Sequence, residues 1–388
     1  MNFEFMAKKK EEVKEAGITP EELMSELLDE TADDHLNKEE EIDYKISTGS
    51  LNLDVELGGG LGPGFHRFCG HMNSGKTPSS LEVQANFLRY HAEHGRKAKG
   101  LYIRAEGRFS KENMERTGMV YTKDPSQWAD GTVLVINCQK YEIIAKYIST
   151  LIRNNPTKTL FCYIVDSMDG LKIKADEGKA YDEAAKVAGA PAISKRFLTD
   201  FSLEMNVKGH MGILISQVTA EVKIDPYAKT PPRDGSYSGG FALSHYANWI
   251  LEFNKFYQSD LILSSATGKI NDGKTKVLGH HCKIQIKKSA NEKNYITVQY
   301  PVKHGVKGKS AVWVEYEVVD QLLAWELAKK NGSWIEVSAD LVKEVKEKIG
   351  EEFDHRHQGM DNFRSYLEEN PKIVEFLFNK FRAVLINA

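Results

Sequence analysis

Residues Gly70, His71, Met72, Asn73, Ser74, Gly75, Lys76 and Thr77 fit the pattern G-x-x-x-x-G-K-[ST]. A short apolar run, Phe65–Cys69, precedes them, and a stretch with helical apolar spacing at Leu81, Ala85 and Leu88 follows. Strand, glycine loop and helix is the setting in which this pattern holds a phosphate. The glycines let successive backbone amides curve round an anion, and Lys76 brings a mobile cation to the β- and γ-phosphates. The Thr77 hydroxyl is placed for Mg²⁺. Without that setting the octad would be a glycine turn with an exposed lysine. With it, the expected ligand is a nucleoside triphosphate.

The rest of the chain constrains the fold around this loop. Apolar runs at Gly100–Ile103, Thr132–Asn137, Thr159–Val165 and Gly212–Ser216 alternate with helical patterns near residues 79–94, 110–117, 140–153 and 182–206. Nearly continuous apolar strands separated by helices predict an α/β, doubly wound, mostly parallel sheet over residues 46–305. More strand-like runs follow at Trp249–Asn254, Asp260–Ser264, Lys283–Lys287 and Tyr295–Tyr300, with a turn signal at Asn271, Asp272, Gly273 and Lys274. Residues 1–45 read as an N-terminal helical and acidic segment, either a solvated helix with a linker or an oligomerisation arm. Residues 306–388 read as a small C-terminal α/β domain with helices over Leu341–Ile349 and Phe363–Leu385.

Three strand ends carry the next layer of chemistry. Asp166 closes an apolar strand, where a carboxylate can orient the water shell of Mg²⁺. Glu106 follows Leu101–Ala105 and is the best candidate to orient an attacking water; its alternative role is an acid at a helix N-terminus. Gln217 ends Ile213–Gln217, where a neutral amide can bond a γ-phosphate and register its loss. The span from Val218 to Ser238 has little periodic pattern and combines Lys223, Lys229 and Arg233 with Tyr227 and Tyr237 before closing on Gly239 and Gly240. Cations that track phosphates and rings that stack on bases make a single-strand binding surface. The alternative reading is a surface loop with no partner.

Composition excludes little. The chain has 388 residues, 41% of them hydrophobic, and a net charge of −3, so a nucleic-acid site must come from local charge. Four scattered cysteines form no C-x-x-C pair and are expected to be buried free thiols. No export segment or membrane span is evident, so a cytoplasmic location is expected.

In this order, these elements resemble the RecA family of DNA strand-exchange proteins, as a divergent, phage-type member. Ile46–Gly58 with Gly59–Leu61 is similar to the start of the family's core. Asp166 with Ser167 resembles its magnesium-site strand, Ala105 with Glu106 its catalytic glutamate, and Gln217 with Gly239–Ala247 its nucleotide-sensing glutamine and second DNA-binding loop. Lys330–Trp334 and Tyr366–Pro371 are similar to its small domain for duplex DNA. The resemblance implies ATP and Mg²⁺ as cofactors, with ATP held between adjacent subunits of a homo-oligomeric helical filament on single-stranded DNA. It also implies duplex DNA, single-strand-binding proteins and mediators as partners. The first DNA-binding loop would fall near residues 176–192, before a helix carrying Lys195 and Arg196.

The departures are specific. Pro78 stands where the family has a residue with a free amide, and Asn113 where it places a tyrosine over adenine. Lys288 matches one of two lysines that reach the neighbouring subunit's phosphates, while Ala290 occupies the other place. The expected activity is DNA-stimulated ATP hydrolysis driving homologous pairing and strand exchange. The competing readings are a nucleotide-gated DNA scaffold with little hydrolysis, and a hexameric helicase of the same fold.

Overall fold

The computed structural model describes residues 19–387, except for 33, 108–109, 175–188, 220–235, 238–239, 265–267, 269 and 271–274. The predicted turn at 271–274 and most of the two predicted DNA loops lie outside the described residues. The chain divides into two compact units, Met1–Glu41 and Ile42–Ala388. In the first, helix α1 (Pro20–Glu30) starts on a reciprocal cap: Thr19 Oγ1 accepts from the Glu22 amide at 3.2 Å, and Glu22 Oε2 accepts from the Thr19 amide at 2.9 Å. Pro20 takes the first helical position, where its missing N–H costs nothing.

The second unit is built on one large sheet. In chain order its described elements begin with α2 (Leu51–Glu56), β1 (Gly64–Gly70), α3 (Lys76–Glu93), β2 (Ala98–Arg104), α4 (Lys111–Thr117), β3 (Val120–Thr122) and β4 (Thr132–Asn137). Then come α5 (Tyr141–Arg153), β5 (Leu160–Asp166), α6 (Gly189–Val207), β6 (Met211–Thr219), β7 (Ser236–Tyr237), α7 (Gly240–Tyr246) and β8 (Trp249–Phe253). Strands β9 (Leu261–Leu263), β10 (Val277–Lys288) and β11 (Thr297–Lys303) complete it. The order across the sheet is β11-β10-β8-β1-β6-β5-β2-β4-β3, parallel from β8 to β3, with β10 and β11 antiparallel at one edge.

Strand alternation sends successive side chains to opposite faces. In β5, Leu160, Cys162 and Ile164 join a core with Leu81 and Phe87 of α3. Phe161, Tyr163 and Val165 join the core on the other face, with Ile144, Ile148 and Ile152 of α5 and Phe197, Leu198 and Phe201 of α6. Both faces are covered, which is why the strands read as unbroken apolar runs. The expected doubly wound sheet is present, and each of its five predicted core strands lies within two or three residues of its predicted ends.

The C-terminal part adds α8 (Val314–Ala324), β12 (Ala328–Asn331), β13 (Trp334–Val337), α9 (Ala339–Ile349), β14 (Arg356–Gln358), α10 (Gly359–Glu369) and α11 (Pro371–Asn387). Its three strands form a separate antiparallel sheet. The single helix expected over Phe363–Leu385 is two helices, because Pro371 has no amide to continue α10 and instead opens α11. The strands β3 and β12–β14, three or four residues each, are too short to read as strands from periodicity.

The stretch Ile46–Gly58 forms a buried polar clasp. Asp54 accepts from Ser47 Oγ at 2.5 Å, the Thr48 amide at 2.8 Å and Thr48 Oγ1 at 2.7 Å, and Arg382 of α11 lies 3.5 Å away. Arg382 Nη2 also donates to the carbonyls of Lys45 and Gly59, at 2.9 and 3.2 Å. Glu317 of α8, fully buried, accepts from Ser50 Oγ at 2.6 Å and from the amides of Leu51 and Asn52 at 3.0 and 3.2 Å.

Three buried histidines predict acid sensitivity. Burial pulls His66 down to about 4, and His91 and His210 down to about 3. The unfolded chain binds protons near the ordinary imidazole value of about 6.5, so these groups favour the fold above that pH and lose their contribution as pH falls toward 4. Each loses about 2 kcal/mol by pH 5. Glu317, buried and pushed up to about 8, works the other way and recovers about 3 kcal/mol over that range. The melting temperature is therefore expected to drop by roughly 5 °C between pH 7.5 and pH 5; a flat thermal profile over that range would contradict it.

Candidate functional site

Strands β1, β6, β5 and β2 are parallel neighbours, so their C-terminal ends share one edge of the sheet. Ligands of open α/β sheets bind at that edge. The glycine loop leaves β1 there and turns directly into α3. Gly70 has φ +143°, and a Cβ on it would lie 2.2 Å from the Phe253 carbonyl oxygen, so no other residue fits. Gly75 caps α3 at φ +102°. Among the described residues the amides of Met72 to Thr77 donate no backbone hydrogen bond, which leaves a run of N–H groups at a helix N-terminus.

Lys76 is buried and folds back over the loop, its Nζ donating to the carbonyls of Gly70 at 2.9 Å and His71 at 2.5 Å. Burial pulls its ammonium below the ordinary lysine value, opposed by the nearby charges of Asp166, Asp169 and Glu106. Ser74 Oγ donates to the His71 carbonyl at 2.6 Å. His71, Met72 and Asn73 are exposed. Pro78 is the third residue of α3 and offers no amide where its neighbours do.

Four predicted residues meet at the strand ends in two hydrogen-bonded pairs. Thr77 Oγ1 donates to Asp166 Oδ2 at 2.7 Å, and Gln217 Nε2 donates to Glu106 Oε1 at 2.9 Å. Tyr102 and Asp169, which sequence reasoning passed over, hold these pairs together with Ser167. The Tyr102 hydroxyl donates to Asp166 Oδ2 at 2.6 Å, Ser167 Oγ donates to Glu106 Oε1, and Asp169 Oδ2 accepts the Gln217 amide at 2.7 Å. Tyr102 was legible: strand alternation puts it on the face of Arg104, which pairs in register with Asp166. Glu106 Oε2 accepts no hydrogen bond among the described residues, which leaves one carboxylate oxygen able to accept one from water.

Lys288 lies apart from these pairs, donating from Nζ to the carbonyls of Ser244 and His245 at 3.1 and 2.7 Å, at the end of α7. Arg67, buried in β1, ties the same helix down: Nε donates to Ser216 Oγ and Nη1 to Ser244 Oγ, both at 3.0 Å. Asn113 is half-buried on α4, and its amide donates to Ser110 Oγ at 3.1 Å as part of the helix cap. Lys195 and Arg196 are exposed on α6, with Arg196 3.7 Å from Asp200. Lys223, Tyr227, Lys229, Arg233 and Gly239 lie outside the described residues. The backbone of β7 closes that span onto β6, pairing Tyr237 with Val218, and Gly240 opens α7.

The glycine cradle, its unpaired amides and the Lys76 cation fit a triphosphate, and the Thr77–Asp166 pair fits a divalent cation beside it. A mostly parallel sheet with this loop after its first strand, joined to a small antiparallel-sheet domain, is a RecA-like core.

The relatives agree. The chain is 25% identical over 345 residues to Protein RecA of Azoarcus sp. (strain BH72), covering 88% of this chain and 84% of that protein. It is 25% identical over 331 residues to Protein RecA of Rickettsia bellii (strain RML369-C), covering 84% and 80%. Over 340 residues it is 25% identical to Protein RecA of Delftia acidovorans (strain DSM 14801 / SPH-1), covering 87% and 78%. No protein-family model matches the sequence. The chain is thus a distant homologue of RecA over most of its length. No described helix is long and apolar enough to cross a membrane.

Proposed function

We propose that this protein is a cytoplasmic, DNA-dependent ATPase that assembles as a helical filament on single-stranded DNA and promotes homologous pairing and strand exchange with duplex DNA. The support is the joining of Glu106 to Gln217 beside the glycine loop. A water-orienting carboxylate is thereby bonded to the residue immediately before the span carrying Lys223, Lys229 and Arg233.

In this reading Lys76 and the loop amides hold the phosphates, and Thr77 and Asp166 hold Mg²⁺. Bound MgATP supplies the phosphoryl group and the charge that neutralises its transfer. Glu106, fixed by Ser167 and Gln217, directs its free oxygen at water. A change in what Gln217 bonds alters the start of the DNA-binding span, so phosphate chemistry and DNA affinity are coupled and, by linkage, each sets the other. Lys288 and the segments near Lys195 and Arg196 serve the neighbouring subunit and DNA. The test is steady-state ATP hydrolysis with and without single-stranded DNA. Strong stimulation by DNA is expected; binding of ATP with no turnover in either condition would overturn the recombinase cycle.

Pro78 favours a second reading, a nucleotide-gated DNA scaffold with little hydrolysis, because it removes one donor from the phosphate cradle. Pro78→Thr restores that N–H at a position already compatible with a helix. The dissociation constant for ATP is expected to fall about tenfold to a hundredfold, the worth of one charge-assisted hydrogen bond. An unchanged constant, measured by calorimetry, would remove Pro78 as a cause of weak binding.

A further inference from the structure

A cleft opens on the flank of the glycine loop, bounded by Gly75, Pro78 and Ser79 on α3, by Tyr300 of β11, and by His280 of β10. It encloses about 50 Å³, room for the edge of a purine rather than the whole ring. Helix α4 contributes one wall, and the residue it presents is Arg116; Asn113, one turn earlier, does not line the cleft. The Arg116 guanidinium donates no hydrogen bond among the described residues, although it is half-buried. The opposite charge acting on it is Glu82, a buried carboxylate that also lines the cleft and lies 3.9 Å from Arg89, and Arg116 shares its surroundings with His280 and His304. Those two imidazoles are joined by a 2.9 Å hydrogen bond, and the Tyr300 hydroxyl is engaged with Ser79 Oγ at 2.9 Å. The Tyr300 hydroxyl and His280 Nδ1 are therefore each already hydrogen-bonded, whereas Arg116 is the guanidinium lining the cleft with no hydrogen bond among the described residues.

We propose that Arg116 is the base-recognising residue of the nucleotide site, its planar guanidinium lying over the open face of the base in place of an aromatic ring. This rests on the nucleotide reading of the glycine loop. A delocalised cation stacks on a π-face at modest desolvation cost, and stacking of this kind tolerates any base. Binding through Arg116 therefore favours nucleotides over bare phosphate chains without sharply separating adenine from guanine.

The experiment compares the full-length chain with its Arg116→Ala and Arg116→Lys variants, titrated by calorimetry with ATP, GTP and inorganic tripolyphosphate in the presence of Mg²⁺. Arg116→Ala is expected to weaken ATP and GTP alike by about tenfold, with tripolyphosphate affinity unchanged, and Arg116→Lys to recover only part of the loss. Equal weakening of ATP and tripolyphosphate would make Arg116 a structural partner of Glu82 and overturn the assignment. So would unchanged ATP binding in Arg116→Ala. If the wild-type chain binds tripolyphosphate and ATP equally, base recognition fails while the phosphate site stands. If it binds neither, the nucleotide reading fails first. Circular dichroism of each variant separates these results from loss of fold.

Discussion

Lys76→Ala is expected to lower DNA-stimulated ATP turnover by at least about a hundredfold, because the side chain is the one cation within the glycine cradle. The fold should survive. Among the described residues Lys76 bonds only to the carbonyls of Gly70 and His71, so its loss frees two carbonyls of the same loop. Burial already holds the ammonium below its ordinary value, so removing it also removes a desolvation cost. ATP-dependent filaments seen by electron microscopy should disappear with turnover. Filaments resembling wild type from Lys76→Ala, with normal ATP dependence, would contradict phosphate-gated assembly.

The second large effect is on stability, at the clasp. Glu317→Ala leaves the Ser50 hydroxyl and the amides of Leu51 and Asn52 without their buried acceptor. Unsatisfied buried donors cost about 1–3 kcal/mol each, and partial relaxation brings the expected loss to about 3–5 kcal/mol. Burial pushes the Glu317 carboxyl up to about 8, while its three donors pull it back. Glu317→Gln keeps one acceptor oxygen but turns an amide N–H toward a backbone donor, so it should recover less than half of the loss. Urea denaturation measures both, and a loss below about 1 kcal/mol for Glu317→Ala would show that the C-terminal part is joined to the sheet mainly by apolar packing.

What the sequence made legible follows from periodicity and local pattern. Strands buried on both faces, such as Leu160–Asp166, announce themselves as apolar runs, and a glycine loop between strand and helix announces the edge where chemistry collects. Glu106 and Gln217 were readable as strand-end polar groups, but nothing local in the chain indicates that they bond each other, because they are brought together by the order β6-β5-β2. Arg116 was hidden for a related reason. Helical phase fixes which residues of α4 share a face, whereas the cleft that selects among them is made by β10 and β11, more than a hundred and fifty residues later. Ile46–Gly58 was legible as a motif and not as a mechanism, since Arg382, which meets Asp54, and Glu317, which meets Ser50, come from α11 and α8.

Arg67 has a consequence for how this chain can vary. Its two nitrogens grip Ser216 and Ser244, so the departure and the return of the polypeptide between β6 and α7 stand on a single foundation at the root of the glycine loop. A crossing with both piers on one footing can be lengthened with little disturbance to either bank. Each doubling of the connection adds only about 0.6 kcal/mol of closure entropy. The length of that crossing is therefore open to change even where its functional side chains, Gln217 among them, are not, while a substitution at Arg67, which touches no predicted ligand, would loosen both ends at once.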